Sequence, residues 1–161
     1  MSDHLATYLH DHLAGSHFAV KLLGSLHDQY EDEPLGQFAH TLCVDLKQDQ
    51  EILEQIIRDV GEAHFDLTEA IGWFTERASQ FKLHRDSSGA GLGTYEAIEA
   101  ITLGIRGKLA LWKALPEIRN YDARIPDRNF SALAERAEEQ YGRAEQQRLN
   151  LVPETFRPQP N

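Results

Sequence analysis

Residues 34–60 decide the fold, and their sequence is PLGQFAHTLCVDLKQDQEILEQIIRDV. Its apolar residues recur about three or four positions apart, which at about 100° per residue places them on one stripe of an α-helix. Pro34 suits the first turn of such a helix and Gly61 suits its C-terminal end. The stretch therefore predicts a long amphipathic helix, and its stripe consists of Leu35, Phe38, Leu42, Leu46, Leu53, Ile56 and Val60.

The same spacing on either side predicts three more long helices and one short one. The long helices are expected at about residues 3–29, 94–118 and 129–151, and the short helix at about 67–83. Residues 85–93 should form a flexible loop, and no segment alternates with period two for long enough to predict a strand. The expected fold class is all-α, a ferritin-like four-helix bundle in which the short helix crosses over so that the second and third long helices run parallel. Residues 1–152 would form this single domain, and the Pro-containing tail 153–161 should be frayed.

Composition excludes several classes of protein. The chain has 161 residues and a formal net charge of −10, with 26 acidic against 16 basic side chains, so we expect no binding to nucleic acid. Its single cysteine, Cys43, cannot form an intramolecular disulfide and is expected to be a small buried hydrophobe. Without a signal-peptide pattern or an apolar run long enough for a bilayer, the sequence predicts a soluble cytoplasmic protein with no membrane partner.

Several polar residues fall where the helical stripes require apolar ones. Charges buried without partners would cost several kcal/mol each, so these residues are expected to meet one another. The predicted buried polar cluster comprises His12, Asp45, Asp49, Lys108, Tyr141 and Arg148. The favoured interpretation is an ion-pair network that fixes the helices in register; the alternative is a functional site. His10 and His17, by contrast, are expected on the solvated surface.

The chain resembles the ferritin-like superfamily, and within it an uncharacterised bacterial group with a degenerate di-iron site. The segments that carry the resemblance are YLHDHLAGS at 8–16, DLKQDQ at 45–50, GIRGK at 104–108, Leu111-Trp112, and RAEEQ at 136–140. Together they cover most of the chain.

Di-iron members of that superfamily use a Glu on each of two helices and a Glu-x-x-His on each of the other two. The resemblance aligns these ligand positions with His12, with Asp45 and Gln48, with the neighbourhood of Gly104, and with Glu138 and Tyr141. No Glu-x-x-His occurs in the chain, and Lys108 would bring a positive charge that competes with a metal ion. The resemblance therefore implies a degenerate site without metal or other cofactor.

Three hypotheses for function follow. The first is a non-enzymatic structural, interaction or stress-related module that associates as a homodimer, with Trp73 on the short helix as a candidate contact. The second is a metal-binding protein or metal-dependent oxidoreductase that holds iron, manganese or zinc at an atypical site. Its candidate ligands are His12, Asp45, Asp49 and Glu138. The third is a protein that holds a small apolar ligand between its helices, for which a lined cavity beside His12 and Tyr141 would be the evidence.

Overall fold

The protein is all-α. The computed structural model describes residues 3–61, 67–86, 89–158 and 160. Its helices are α1 (His4–Gln29), α2 (Pro34–Val60), α3 (Leu67–Ser79), α4 (Leu92–Arg119), α5 (Phe130–Asn150) and α6 (Val152–Phe156). The all-α prediction is confirmed, and the four long helices begin and end close to the predicted residues. In the described part of the chain, no helix combines the length and the apolar character needed to cross a membrane.

Local chemistry explains where the long helices begin and end. The side chain of Asp3 caps α1 by accepting a hydrogen bond from the backbone N–H of Ala6 at 3.1 Å, and Asn129 caps α5 in the same way. Pro34 occupies the first turn of α2, and Gly61 ends it at φ +81, a backbone conformation that favours glycine. These signals are local in sequence, which is why the helix bounds could be predicted.

Contacts at the two ends of α1 fix the directions of the long helices. Helix α1 packs on both α2 and α4, and α4 packs on α5. The C-terminal end of α1 meets the start of α4, where the hydroxyls of Tyr30 and Thr94 lie 2.9 Å apart. The start of α1 meets the chain beyond α4 through an ion pair of 2.6 Å between Asp3 and Arg124. Since α1 is antiparallel to both α2 and α4, those two helices run in the same direction.

The core consists of two apolar clusters separated by a polar level. One cluster, near the C-terminal end of α1, includes Leu26, Leu42 and Ile98, and the other, near its N-terminal end, includes Leu9 and Ile56. The buried polar residues at mid-height are Asp49, Thr102 and Gln140, with Lys108 alongside. This level lies between the two clusters and contains the candidate site.

The segment after α3 differs from its prediction. Helix α3 ends at Ser79 rather than near residue 83, and two short strands follow, β1 (Arg85–Asp86) and β2 (Gly89–Ala90). They pair antiparallel, with Arg85 opposite Ala90 and Asp86 opposite Gly89, where a loop without strands was expected. Two-residue strands are too short to produce a period-two pattern in the sequence. The predicted loop also contains Ser87 and Ser88, which lie outside the described residues.

The expectation of a frayed tail from residue 153 onward is wrong for residues 153–156, which belong to α6. The carboxylate of Glu154 accepts a hydrogen bond of 3.1 Å from the backbone N–H of Ala90. The ring of Phe156 packs edge-on against Tyr95, with centroids 5.1 Å apart. These contacts attach α6 to β2 and to the start of α4, and sequence periodicity over so few residues could not reveal them.

Candidate functional site

A buried carboxylate, Asp49 of α2, joins three long helices at mid-height. Its side chain is 2% exposed, and its Oδ2 accepts hydrogen bonds from Nζ of Lys108 on α4 at 2.5 Å and from Nε2 of Gln140 on α5 at 2.8 Å. Lys108 also donates to Oε1 of Gln140. The ammonium and the amide therefore compensate the desolvation of the carboxylate, as a buried charge requires.

Two arginines of α5 extend this network toward solvent. Nε of Arg136 lies 3.1 Å from Oδ1 of Asp49, without the alignment of a hydrogen bond, and its Nη2 donates to Gln48 at 2.7 Å. Arg143 donates to Oδ2 of Asp45 at 2.5 Å. We use the name polar network for Asp45, Asp49, Lys108, Arg136, Gln140 and Arg143. Its two carboxylates and three cations leave no excess of negative charge.

The structure brings only part of the predicted cluster together. Asp45, Asp49 and Lys108 belong to the polar network. His12 of α1 lines the same cavity as Asp49 and Lys108, and among the described residues no hydrogen bond or ion pair involves it.

Tyr141 and Arg148 lie elsewhere, so their predicted membership of the cluster is wrong. The ring of Tyr141 packs under the guanidinium of Arg106, 4.1 Å from centroid to Cζ. Arg148 pairs with Glu145 at 2.6 Å and donates to the hydroxyl of Tyr95 at 2.5 Å. Tyr141 is turned by about 100° from Gln140, and Arg148 stands about 12 Å further along α5 at about 1.5 Å per residue.

Sequence reasoning missed Gln140, Arg136 and Arg143. Gln140 lies three residues after Ala137 and four before Ala144, both buried, so its place on the stripe was a usable signal. The two arginines flank that stripe, and nothing in the sequence shows which carboxylate they would meet.

The prediction of a surface position for His10 is also wrong, because this residue is 1% exposed. Helix α1 contacts α2, α3 and α4. Its buried arc is therefore wider than the single stripe on which the prediction depended.

A cavity of about 490 Å³ opens beside the polar network. Its walls come from α1, α2 and α4, with one side chain from α3, and its larger apolar members are Tyr8, Phe18, Leu46, Leu53, Phe74, Ile105, Leu111 and Trp112. Gly15, Gly104 and Gly107 also line it, and a methyl group added at any of the three would meet no atom within 4 Å beyond the backbone of its own helix turn. The space therefore depends in part on these glycines.

Burial alters the ionisable groups that line this cavity. Desolvation lowers the pKa of His12 below its usual 6.5, against the opposing effect of Asp11, so the imidazole is neutral at pH 7. Desolvation likewise lowers the pKa of Lys108 from 10.5, and the neighbouring carboxylate of Asp49 offsets this in part. His12 also packs edge-on against Tyr8, with ring centroids 4.8 Å apart.

Trp112 is a further residue beside the same cavity. Its side chain is 1% exposed, and its indole Nε1 is buried without a hydrogen-bond partner among the described residues. A buried N–H without a partner costs about 1–3 kcal/mol.

The four candidate metal ligands do not converge. Glu138 is half-exposed and lies 3.7 Å from Arg106 and 3.9 Å from Lys113, and Asp45 and Asp49 are held by the cations of the polar network. Within the described ranges, no group of three or more His, Cys, Asp or Glu side chains is placed to hold a metal ion. These residues do not fit a di-iron centre.

Comparison with known proteins identifies no relative: no family model, curated protein or solved structure matches this chain. The candidate function is therefore inferred from the cavity and the polar network.

Proposed function

We propose that this protein is a ferritin-like four-helix bundle in which an ion-pair network stands where di-iron proteins of that fold hold iron, and that it binds a small, mostly apolar ligand beside that network. The cavity of about 490 Å³ carries the proposal. Sites for small molecules usually measure about 300–1,000 Å³ and combine apolar walls with a few polar groups. This cavity has both properties.

The directions of the helices support the bundle. Helices α1 and α2 form one antiparallel hairpin, α4 and α5 form another, and α3 lies between them in the chain. The parallel course of α2 and α4 is the one that a ferritin-like crossover requires. Lys108 supports the proposal that the bundle holds no iron, because its ammonium group neutralises the Asp49 carboxylate that a metal ion would need.

The cavity is open to solvent on one side, so water occupies it in the unliganded chain. Most of its walls are apolar. A ligand that displaces water from apolar walls gains free energy.

The polar groups of the cavity indicate what such a ligand carries. An ammonium has three N–H donors, and Lys108 uses two of them on Asp49 and Gln140. The third N–H is left for the ligand, so the ligand needs an acceptor. A neutral carbonyl fits better than a carboxylate, because a second negative charge near Asp49 would be repelled.

Calorimetric titration with a panel of neutral apolar carbonyl compounds, such as 2-octanone and acetophenone, tests the proposal. We expect saturable binding with one ligand per chain and a negative heat-capacity change. Gly107→Leu should abolish binding, because it fills the cavity. Gly142→Leu is the matched control, since its added side chain also starts in open space but does not line the cavity.

Equal binding by the two leucine variants, or no binding by the unmodified protein across the panel, would refute the proposed site. Elemental analysis of protein purified without a histidine tag tests the metal alternative. Stoichiometric metal that is lost in Asp49→Ala would favour that alternative over ours.

A further inference from the structure

We propose that Lys108 captures apolar aldehydes as a Schiff base, with Asp49 as the counter-ion of the product. This inference rests on the proposed function and deepens it by naming a ligand class and a covalent step. Among the described residues that line the cavity, Lys108 is the only lysine. The chain's other lysines, Lys21, Lys47, Lys82 and Lys113, are all exposed.

The surroundings of Lys108 combine an apolar wall with a fixed polar side. Ile105, Leu111 and Trp112 lie one turn away on the same helix and line the cavity with it. On the polar side, Nζ is held 2.5 Å from Oδ2 of Asp49 and is also bonded to Gln140. A carbonyl compound in the cavity would therefore meet an amine whose position two hydrogen bonds define.

The reaction needs no component other than the aldehyde. Asp49 takes one proton from the ammonium, and the freed lone pair of Nζ forms a C–N bond with the carbonyl carbon. The π electrons of the carbonyl move to its oxygen, which takes a second proton from the nitrogen. Asp49 then returns its proton to that hydroxyl group, which leaves as water while the nitrogen lone pair forms the C=N bond. Two protons and the carbonyl oxygen thus leave as water.

Charge balance explains why the ion pair with Asp49 is compatible with this chemistry. The ammonium and the iminium that replaces it both carry one positive charge, so Asp49 is paired with a cation before and after the reaction and is a neutral acid between. A buried carboxylate left alone would cost several kcal/mol.

Three features favour reaction at Lys108 over the exposed lysines. Its lowered pKa makes the free amine more available. An aldehyde whose chain fills the cavity displaces the water that would hydrolyse the product. The hydrogen bonds of Nζ to Asp49 and Gln140 hold the amine beside the cavity.

Reductive trapping tests the proposal. The full chain is incubated with octanal and sodium cyanoborohydride at pH 7, and peptide mass spectrometry locates the octyl groups. We expect Lys108 to be labelled at least about tenfold faster than Lys47 or Lys113, because an aldehyde held in the cavity meets its amine at a raised effective concentration.

Two variants test whether the fast labelling belongs to Lys108. Lys108→Arg keeps a cation for Asp49 but has no nucleophilic amine, so the fast labelling should vanish. Binding of 2-octanone to the unmodified chain reports on the ligand site separately. Lys113→Arg, at an exposed site, should leave both properties unchanged. Labelling of Lys108 no faster than of the exposed lysines, with 2-octanone still bound, would overturn the Schiff base and leave the ligand site intact. Failure of both measurements would overturn both proposals.

Discussion

Replacing Asp49 by Asn tests the energetics of the polar network most directly. The variant keeps the shape of the side chain but removes the charge that pairs with Lys108, whose side chain is 16% exposed. Breaking a buried ion pair by removing one partner costs about 3–5 kcal/mol. We expect about 3 kcal/mol, the lower end of this range, because Lys108 keeps some contact with solvent and its bond to Gln140.

Urea unfolding followed by circular dichroism measures this loss. For a domain of this length, each kcal/mol shifts the melting temperature by about 2–4 °C, so the variant should melt about 6–12 °C lower. Asp127→Asn is the matched control, because Asp127 also pairs with an arginine, at 3.0 Å, but is 84% exposed. Such a surface pair should contribute at most about 1 kcal/mol.

Replacing Asp49, Lys108 and Gln140 together distinguishes the energetic cost of a broken ion pair from the cost of poorer packing. In a variant that combines Asp49→Leu, Lys108→Met and Gln140→Leu, no member of that trio remains buried without its partner. Apolar replacement of a buried ion pair is often neutral or stabilising, so this variant should be more stable than Asp49→Asn. A loss in Asp49→Asn no greater than in Asp127→Asn would show that our reasoning about the network is wrong.

Three further predictions concern the glycines, the histidines and the cysteine. Gly104→Ala should raise the free energy of unfolding by about 0.5–1 kcal/mol, because its methyl group enters open space in a helix. Gly36→Ala should lower the free energy of unfolding, because its methyl group would overlap a backbone carbonyl at the end of α1. The pKa of His12 is lowered in the folded chain, so the unfolded chain binds more protons just below pH 6.5, and stability should fall there as pH is lowered. This loss amounts to at most about 1.4 kcal/mol per pH unit. Urea titrations at a series of pH values should no longer show it in His12→Gln. They should still show it in His17→Gln, because His17 does not line the cavity. Cys43 is buried with a raised thiol pKa, so iodoacetamide should label it at the rate of unfolding; labelling as fast as a free thiol in native buffer would contradict that placement.

Helix bounds were predictable because their signals are local. Asp3, Pro34 and Gly61 mark the ends of helices through bonds and backbone angles within one turn. The two short strands and α6 depend instead on contacts between distant segments, such as that of Glu154 with Ala90. The spacing of apolar residues along the chain carries no information about such contacts.

The candidate site was predictable only to the extent that helical angle determines it. Asp49 and Lys108 were found because a charge on an apolar stripe needs a partner. Arg148 also falls on the apolar side of α5, but it stands about 12 Å beyond Gln140 along the helix axis. A helical angle carries no information about position along the axis, so it could not exclude Arg148 from the cluster. Gln140 carries no charge, so its role became visible only once Asp49 and Lys108 were seen to converge on it.

The cavity could not be derived from the sequence in the same way. The small residue Gly15 was compatible with two outcomes, the close approach of a neighbouring helix or an unfilled space. In the structure it lines the cavity together with Gly104 and Gly107, although α1 and α4 are in contact. Which outcome holds depends on the volumes of all the facing side chains at once.

The polar network also bears on the order in which the chain folds. Asp49 is 59 positions from Lys108 and 91 from Gln140, whereas each antiparallel pair of long helices is continuous in sequence. The pairs α1–α2 and α4–α5 can therefore form early, and the network is completed when one pair docks on the other. Interactions made after the rate-limiting step govern unfolding more than folding. The network should accordingly determine how long a folded molecule lasts, while the apolar stripes determine how quickly it forms.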